Sequence, residues 1–183
     1  GFIETSGGNL DLTGIRANAG APAGAAGTWL VDPYAVAIVS GAGAGTLPTN
    51  PFDALSNSTI QDGDINAALN GGASVKITTG TGGVGTGSIT LANDVLIDYT
   101  AAAGALSFEL DSGSSIQANG VGTVIRSSGA GGPLNVVFNA GFNPDGTPSG
   151  SIGTITYNGS IDTRGGSVAM TARGDGTPGS GRI

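Results

Sequence analysis

The chain has 183 residues, 36 of them Gly and only 10% charged, with a net charge of −7 and six Lys and Arg; so few cations argue against binding nucleic acid or an anionic membrane surface. His and Cys are both absent, which removes the commonest general base and metal ligand and any disulfide framework. No Gly-X-Y period signals collagen, the regular recurrence of Val, Ile, Leu and Phe argues against disorder, and no apolar run approaches the ~20 residues that span a bilayer.

Gly1-Phe2-Ile3-Glu4-Thr5 reads as the middle of a strand pattern and Gly181-Arg182-Ile183 stops abruptly, so the expectation is a segment of a longer protein. Leu10 and Leu12 alternate, Thr13-Gly14 makes a corner, and Ile15 and Ala17 resume. Residues 20–28, rich in Ala and Gly, read as a loop excursion, and Val36 and Ile38 as a strand. Residues 41–58, with Pro48 and Pro51, read as a second excursion. Asp62-Gly63-Asp64 before Ile65–Leu69 fits a single helical turn, capped by Asp at its start and by Asn70-Gly71 at its end. From Ser74 the alternation is dense: Val75 and Ile77, Ile89 and Leu91, Val95 and Ile97, then Leu106, Phe108 and Leu110, then Leu134, Val136 and Phe138. These residues are expected to fill a core. Asn143-Pro144-Asp145-Gly146 marks the tip of a third excursion over 141–151. Ile155 and Tyr157, the Asn158-Gly159 corner, Ile161, the Gly165-Gly166 corner and the strand Val168–Ala172 then follow at close spacing.

Strands this short cannot bury an apolar face alone, but they can if each round of chain stacks on the last. The cadence recurs at Leu10–Ala17 and Phe108–Ala118 with drifting spacing and no hexapeptide rhythm. Irregular rounds of this kind, together with the right-handed bias of parallel crossovers, predict one all-β domain over 1–183, a right-handed parallel β-helix (β-solenoid) with loop excursions.

Gly27-Thr28-Trp29-Leu30-Val31-Asp32-Pro33-Tyr34 is similar to a signature in the repeat region of filamentous-haemagglutinin-like exoproteins of two-partner secretion. Gly1–Gly8, the run from Ile65 to Thr79 and Gly87–Leu91 resemble the same family. The resemblance implies a structural and adhesive shaft on the bacterial surface or secreted from it, with an outer-membrane transporter as partner during export. Receptors or glycans on host or neighbouring cells would be its targets. It supplies no catalytic residue and no cofactor. Unpaired strand edges at the ends would favour end-to-end self-association into fibres.

The competing class is a carbohydrate-active β-helical enzyme, which needs clustered carboxylates on an exposed face. Asp94 and Asp98, flanking a strand, outward-facing Glu109 and Asp111 at a corner are its candidates; the alternative is that they keep an apolar sheet soluble. Asp62-Gly63-Asp64 offers oxygen ligands to calcium, but helix capping accounts for it and the Gly-Gly-x-Gly-x-Asp repeat is missing. Trp29 is expected to pack over the edge of a round. Asn57-Ser58-Thr59 and Asn158-Gly159-Ser160 match the glycosylation triplet. Arg173-Gly174-Asp175 is the candidate receptor-binding turn, a cation and a carboxylate held apart between a strand and a Gly-rich tail. The expected activity is therefore structural, with no catalysis, no metal and no cofactor.

Overall fold

All twelve alternating apolar residues from Val75 to Phe138 are buried, at 3% exposure or less. Each such side chain removed from water contributes ~1.5–3 kcal/mol, so this alternation is the main driving force for the strands. The computed structural model describes residues 1–12, 14–21, 24–43, 58–80, 87–101, 104–176 and 181–183. Most of the 41–58 excursion, Thr13, Asn57 and part of the Gly-rich tail lie outside the described residues.

The described residues form an all-β fold of three sheets in which every strand pair is parallel. The long sheet holds β1 (Phe2–Ser6), β2 (Gly27–Asp32), β5 (Ala73–Thr79), β8 (Leu106–Ser112), β11 (Leu134–Ala140) and β14 (Val168–Ala172), in that spatial order. A second sheet runs β12 (Thr154–Tyr157), β9 (Ser115–Ala118), β6 (Ile89–Leu91), β3 (Val36–Val39), β4 (Ser58–Gln61). The third runs β13 (Ser160–Asp162), β10 (Val124–Ser127), β7 (Leu96–Tyr99). From β5 onward the chain visits long, second and third sheets in the same order three times and then returns to the long sheet.

Register keeps like residues in columns. Val75, Phe108, Val136 and Val168 stack on the inward face of the long sheet, as do Ile77, Leu110, Phe138 and Met170. The inward residues of all three sheets form one core with Trp29, Ile38, Ile97 and Ile125. Val168 is in line with buried Val136 yet 49% exposed, because no described strand lies beyond β14. Two corners show different uses of glycine. Between β13 and β14 the chain reverses through Arg164 and Gly165 with φ of 47° and 92°, a left-handed conformation that glycine adopts without steric cost. Gly27 is instead needed for space, since a Cβ there would lie 2.1 Å from the Ala19 carbonyl oxygen.

Several expectations need correction. Gly27 and Thr28 belong to β2, not to the loop at 20–28, because close approach rather than flexibility explains that glycine. The second excursion ends in a strand: β4 pairs with β3 on one side and bridges Asp11 on the other. The expected single turn is a nine-residue helix, α1 (Asp62–Asn70), which buries Ile65, Ala68 and Leu69 on one face. Its N-cap is Gln61 with no side-chain cap, and Gly72 rather than Gly71 takes the positive φ after its end.

The aspartate and asparagines of α1 are used elsewhere. Residues four apart share one helix face. Here the Leu96 N–H donates to Asp62 Oδ2 (2.8 Å), Asp98 N–H to Asn66 Oδ1 (2.8 Å) and Thr100 N–H to Asn70 Oδ1 (2.7 Å). In return Asn66 Nδ2 donates to the Leu96 carbonyl (2.7 Å) and Asn70 Nδ2 to that of Asp98 (3.2 Å). Each asparagine amide thus makes the pair of bonds that one residue of a neighbouring parallel strand would make. The helix occupies the place of a strand and seals the edge of β7.

Candidate functional site

The charged residues expected to mark an enzyme divide between two sheets. On the outward face of the long sheet, register sets Lys76 opposite Glu109 and Thr78 opposite Asp111. The Lys76 ammonium lies 3.0 Å from Glu109 Oε1 and 2.6 Å from Asp111 Oδ2. Asn139, next in the same column, donates to Asp111 Oδ1 at 2.8 Å. On the other side, Thr78 donates its hydroxyl to Asp32 Oδ1 at 2.8 Å. Although it faces outward, the Asp111 side chain is only 8% exposed. Burial works against the charge of Lys76, but hydrogen bonds and charge from Asp111 and Glu109 outweigh it and hold its pKa above the ordinary value. Burial raises the Glu109 carboxyl, opposed by Lys76 and reinforced by the negative charge of Asp111. A lysine held protonated is a poor general base, and as an ion-pair partner it ties β5 to β8.

On the third sheet, Arg126 reaches Asp98 Oδ2 through Nε (2.9 Å) and Nη2 (2.8 Å), and Ser128 donates to Asp98 Oδ1 (2.7 Å). Asp98 lies within β7 rather than beside a strand, and Asp111 within β8 rather than at a corner. Asp94 is exposed on a turn with φ 58°. The four carboxylates therefore do not converge on one site.

The expected capping holds for Asp64, whose carboxylate accepts the backbone N–H of Gln61 at the helix start, and not for Asp62; both also reach beyond the helix. Asp62 Oδ1 accepts the Gly41 N–H at 2.8 Å, while Asp64 Oδ1 pairs with Arg16 Nη1 at 2.9 Å and its Oδ2 accepts the Gly14 N–H at 3.2 Å. Arg16 also donates to the Gly43 carbonyl. Burial raises the Asp64 pKa, opposed by the Gly14 N–H and by Arg16. Among the described residues there is no group of three or more His, Cys, Asp or Glu suited to a metal ion.

Arg173 N–H donates to the Ala140 carbonyl (2.9 Å), and its own carbonyl accepts from Gly153 N–H (2.7 Å). Its guanidinium donates to the Ser151 carbonyl at 3.3 Å. Arg173 and Gly174 are half-buried and Asp175 is exposed. The first residue of the triplet continues the wall instead of standing on a projecting turn. Trp29 is fully buried in the core rather than over an edge, and its Nε1–H donates to Thr5 Oγ1 at 3.2 Å. Ser58 of one glycosylation triplet is buried in β4, whereas Asn158 and Ser160 of the other are exposed.

The excursion over 141–151 carries a self-braced tip. Phe142 bridges Pro148 antiparallel, and Asn143 Nδ2 donates to Thr147 Oγ1 (3.1 Å). The Thr147 hydroxyl (2.6 Å) and N–H (2.9 Å) both donate to Asp145 Oδ1, lowering the Asp145 pKa. A cleft of about 510 Å³ beside the end of α1 is lined mostly by Gly and Ala, with Asn18 and Asn70, whose side chains are both engaged within the fold. Sequence reasoning missed the role of Lys76 and the Asp98–Arg126 pair. Both pairings depend on strand register, which no local spacing reveals. No protein-family model matches the chain, and no curated protein matches it.

Proposed function

We propose that this chain is a length of right-handed parallel β-helix serving as a shaft segment of a filamentous-haemagglutinin-like adhesin, secreted or held at the bacterial surface. The observation that carries the reading is the recurrent order in which the chain visits three all-parallel sheets. Parallel crossovers are right-handed in ≈ 98% of cases, which supplies the hand. The Gly27–Tyr34 resemblance supplies the family, and the burial of Trp29 agrees with a structural use of that motif. Each further round would lengthen such a shaft by ~4.8 Å, the spacing of neighbouring strands. Cross-strand pairs such as Lys76 with Glu109 and Asp111 stiffen the wall, and the braced 141–151 tip is the kind of feature a shaft presents to receptors or glycans on another cell.

The test is genetic and biochemical. The reading frame is expected to encode an export region upstream and to lie beside a gene for an outer-membrane transporter. Surfaces coated with the purified chain are expected to retain cells, and polysaccharides incubated with it are expected to remain intact. Absence of both genetic features, or release of oligosaccharides that Asp111→Asn abolishes, would overturn the reading in favour of an enzyme.

A further inference from the structure

Three asparagines precede glycine: Asn70, Asn119 and Asn158. In such a pair the glycine main-chain nitrogen can attack the side-chain amide carbon. A cyclic imide forms, ammonia leaves with the proton lost from the N–H, and water reopens the ring to aspartate or isoaspartate. The reaction needs a free side-chain amide, a free glycine N–H and a backbone that can bring them together.

The three sites differ in each requirement. The Asn70 amide is committed to Asp98, Thr100 and Ala101, and the Gly71 N–H is bonded to the Ala67 and Ala68 carbonyls. Asn158 is exposed, but its N–H is fixed to the Ala118 carbonyl and that of Ser160 to the Thr123 carbonyl, so the backbone is pinned on both sides of Gly159. Asn119 is exposed, and the N–H groups of Asn119, Gly120, Val121 and Gly122 make no hydrogen bond to another described residue. Only the Val121 carbonyl is engaged there, by Asp94 N–H at 3.0 Å.

We infer that Asn119 is a spontaneous deamidation site, chosen by the sparsely hydrogen-bonded corner between β9 and β10 over the other two Asn-Gly pairs. The product carboxylate stands at a corner stacked on Asn93 and Asp94, beside which Gly120 and Gly122 pass closely. This adds negative charge at the corner that leads into the central strand of the third sheet, while the asparagine whose amide seals β7 is spared.

The experiment is peptide mapping by mass spectrometry of the full chain aged at mildly alkaline pH, with isoaspartate detection, folded and in denaturant. Asn119 is expected to lose its amide first, with Asn158 slower. Asn70 should react at least ~10-fold more slowly than Asn119, because it must first leave the helix by local opening. In denaturant the three rates should converge. Asn119→Gln should remove the early ammonia release without altering the far-ultraviolet spectrum. Equal rates at the three sites in the folded chain, or an early phase that survives Asn119→Gln, would overturn the inference.

Discussion

Asn66→Ala tests whether α1 substitutes for a strand. The substitution removes a donor to the Leu96 carbonyl and an acceptor for the Asp98 N–H, at 2.7 and 2.8 Å. Each such bond is worth ~0.5–1.5 kcal/mol net, and alanine returns up to ~0.7 kcal/mol through its better helix propensity. The expected loss is therefore ~1–2 kcal/mol of unfolding free energy, toward the lower end where water replaces the lost partners. Asn119→Ala, at an exposed asparagine with no side-chain hydrogen bond to a described residue, is the control and should stay within ~0.5 kcal/mol of the parent. Urea titration gives the energies. Amide exchange locates them: protection should fall at Asp98 before it falls at Ile125, in the interior of the same sheet. A change below ~0.5 kcal/mol together with unaltered protection at Asp98 would mean that the ladder only decorates the helix, and the argument would fail.

Lys76→Met leaves Glu109 and Asp111 facing each other without their shared cation. It should cost ~1–3 kcal/mol at neutral pH, discounted from the buried-pair range because Lys76 is partly exposed. The Glu109 pKa is already raised, so the folded state holds the extra proton more tightly. The deficit should therefore shrink as pH falls toward ~4, measured by urea titration at both pH values. Burial lifts Tyr157 to about 12. Its contribution should be intact below the unfolded value of ~10 and lost as pH rises through about 12, a slope that Tyr157→Phe should flatten and that ultraviolet phenolate titration can follow. Phe108→Ala, at the centre of the long sheet and fully buried, should cost ~3–5 kcal/mol and lower the thermal midpoint accordingly.

The alternation of apolar residues was readable in sequence because its period belongs to the strand itself. The twelve alternating residues between Val75 and Phe138 followed from that period, whereas the equally buried Tyr99 and Ile125 did not, and the strand Val168–Ala172 was found with its ends in place. Long-range pairing was hidden. Asn66 and Asn70 stand four apart in plain view, but nothing local says that β7, some thirty residues further on, presents its N–H groups to them. Asp62 and Asp64 carry the composition of a helix cap, and Asp64 does accept the Gln61 N–H, yet Asp62 is spent on a distant loop and a sheet edge and Asp64 also pairs with Arg16. The tail of the 41–58 excursion was misread because Ser58–Gln61 is a strand only by virtue of Val36–Val39 and Asp11 on either side of it.

The helix that seals β7 also sets a limit on how far such sealing can reach. Four helical residues advance ~6.0 Å along the axis, and two strand residues advance ~6.6 Å. From Asp62 to Asn70 the two rulers drift apart by little more than 1 Å, which side-chain torsions absorb across three contacts. Each further contact would widen the gap by ~0.6 Å until the amides straddled the wrong peptide groups. A four-residue strand such as β7 is within that tolerance, whereas the seven-residue strands of the long sheet would outrun it. Short strands on the third sheet are thus the condition under which a helix can take a strand's place in this wall.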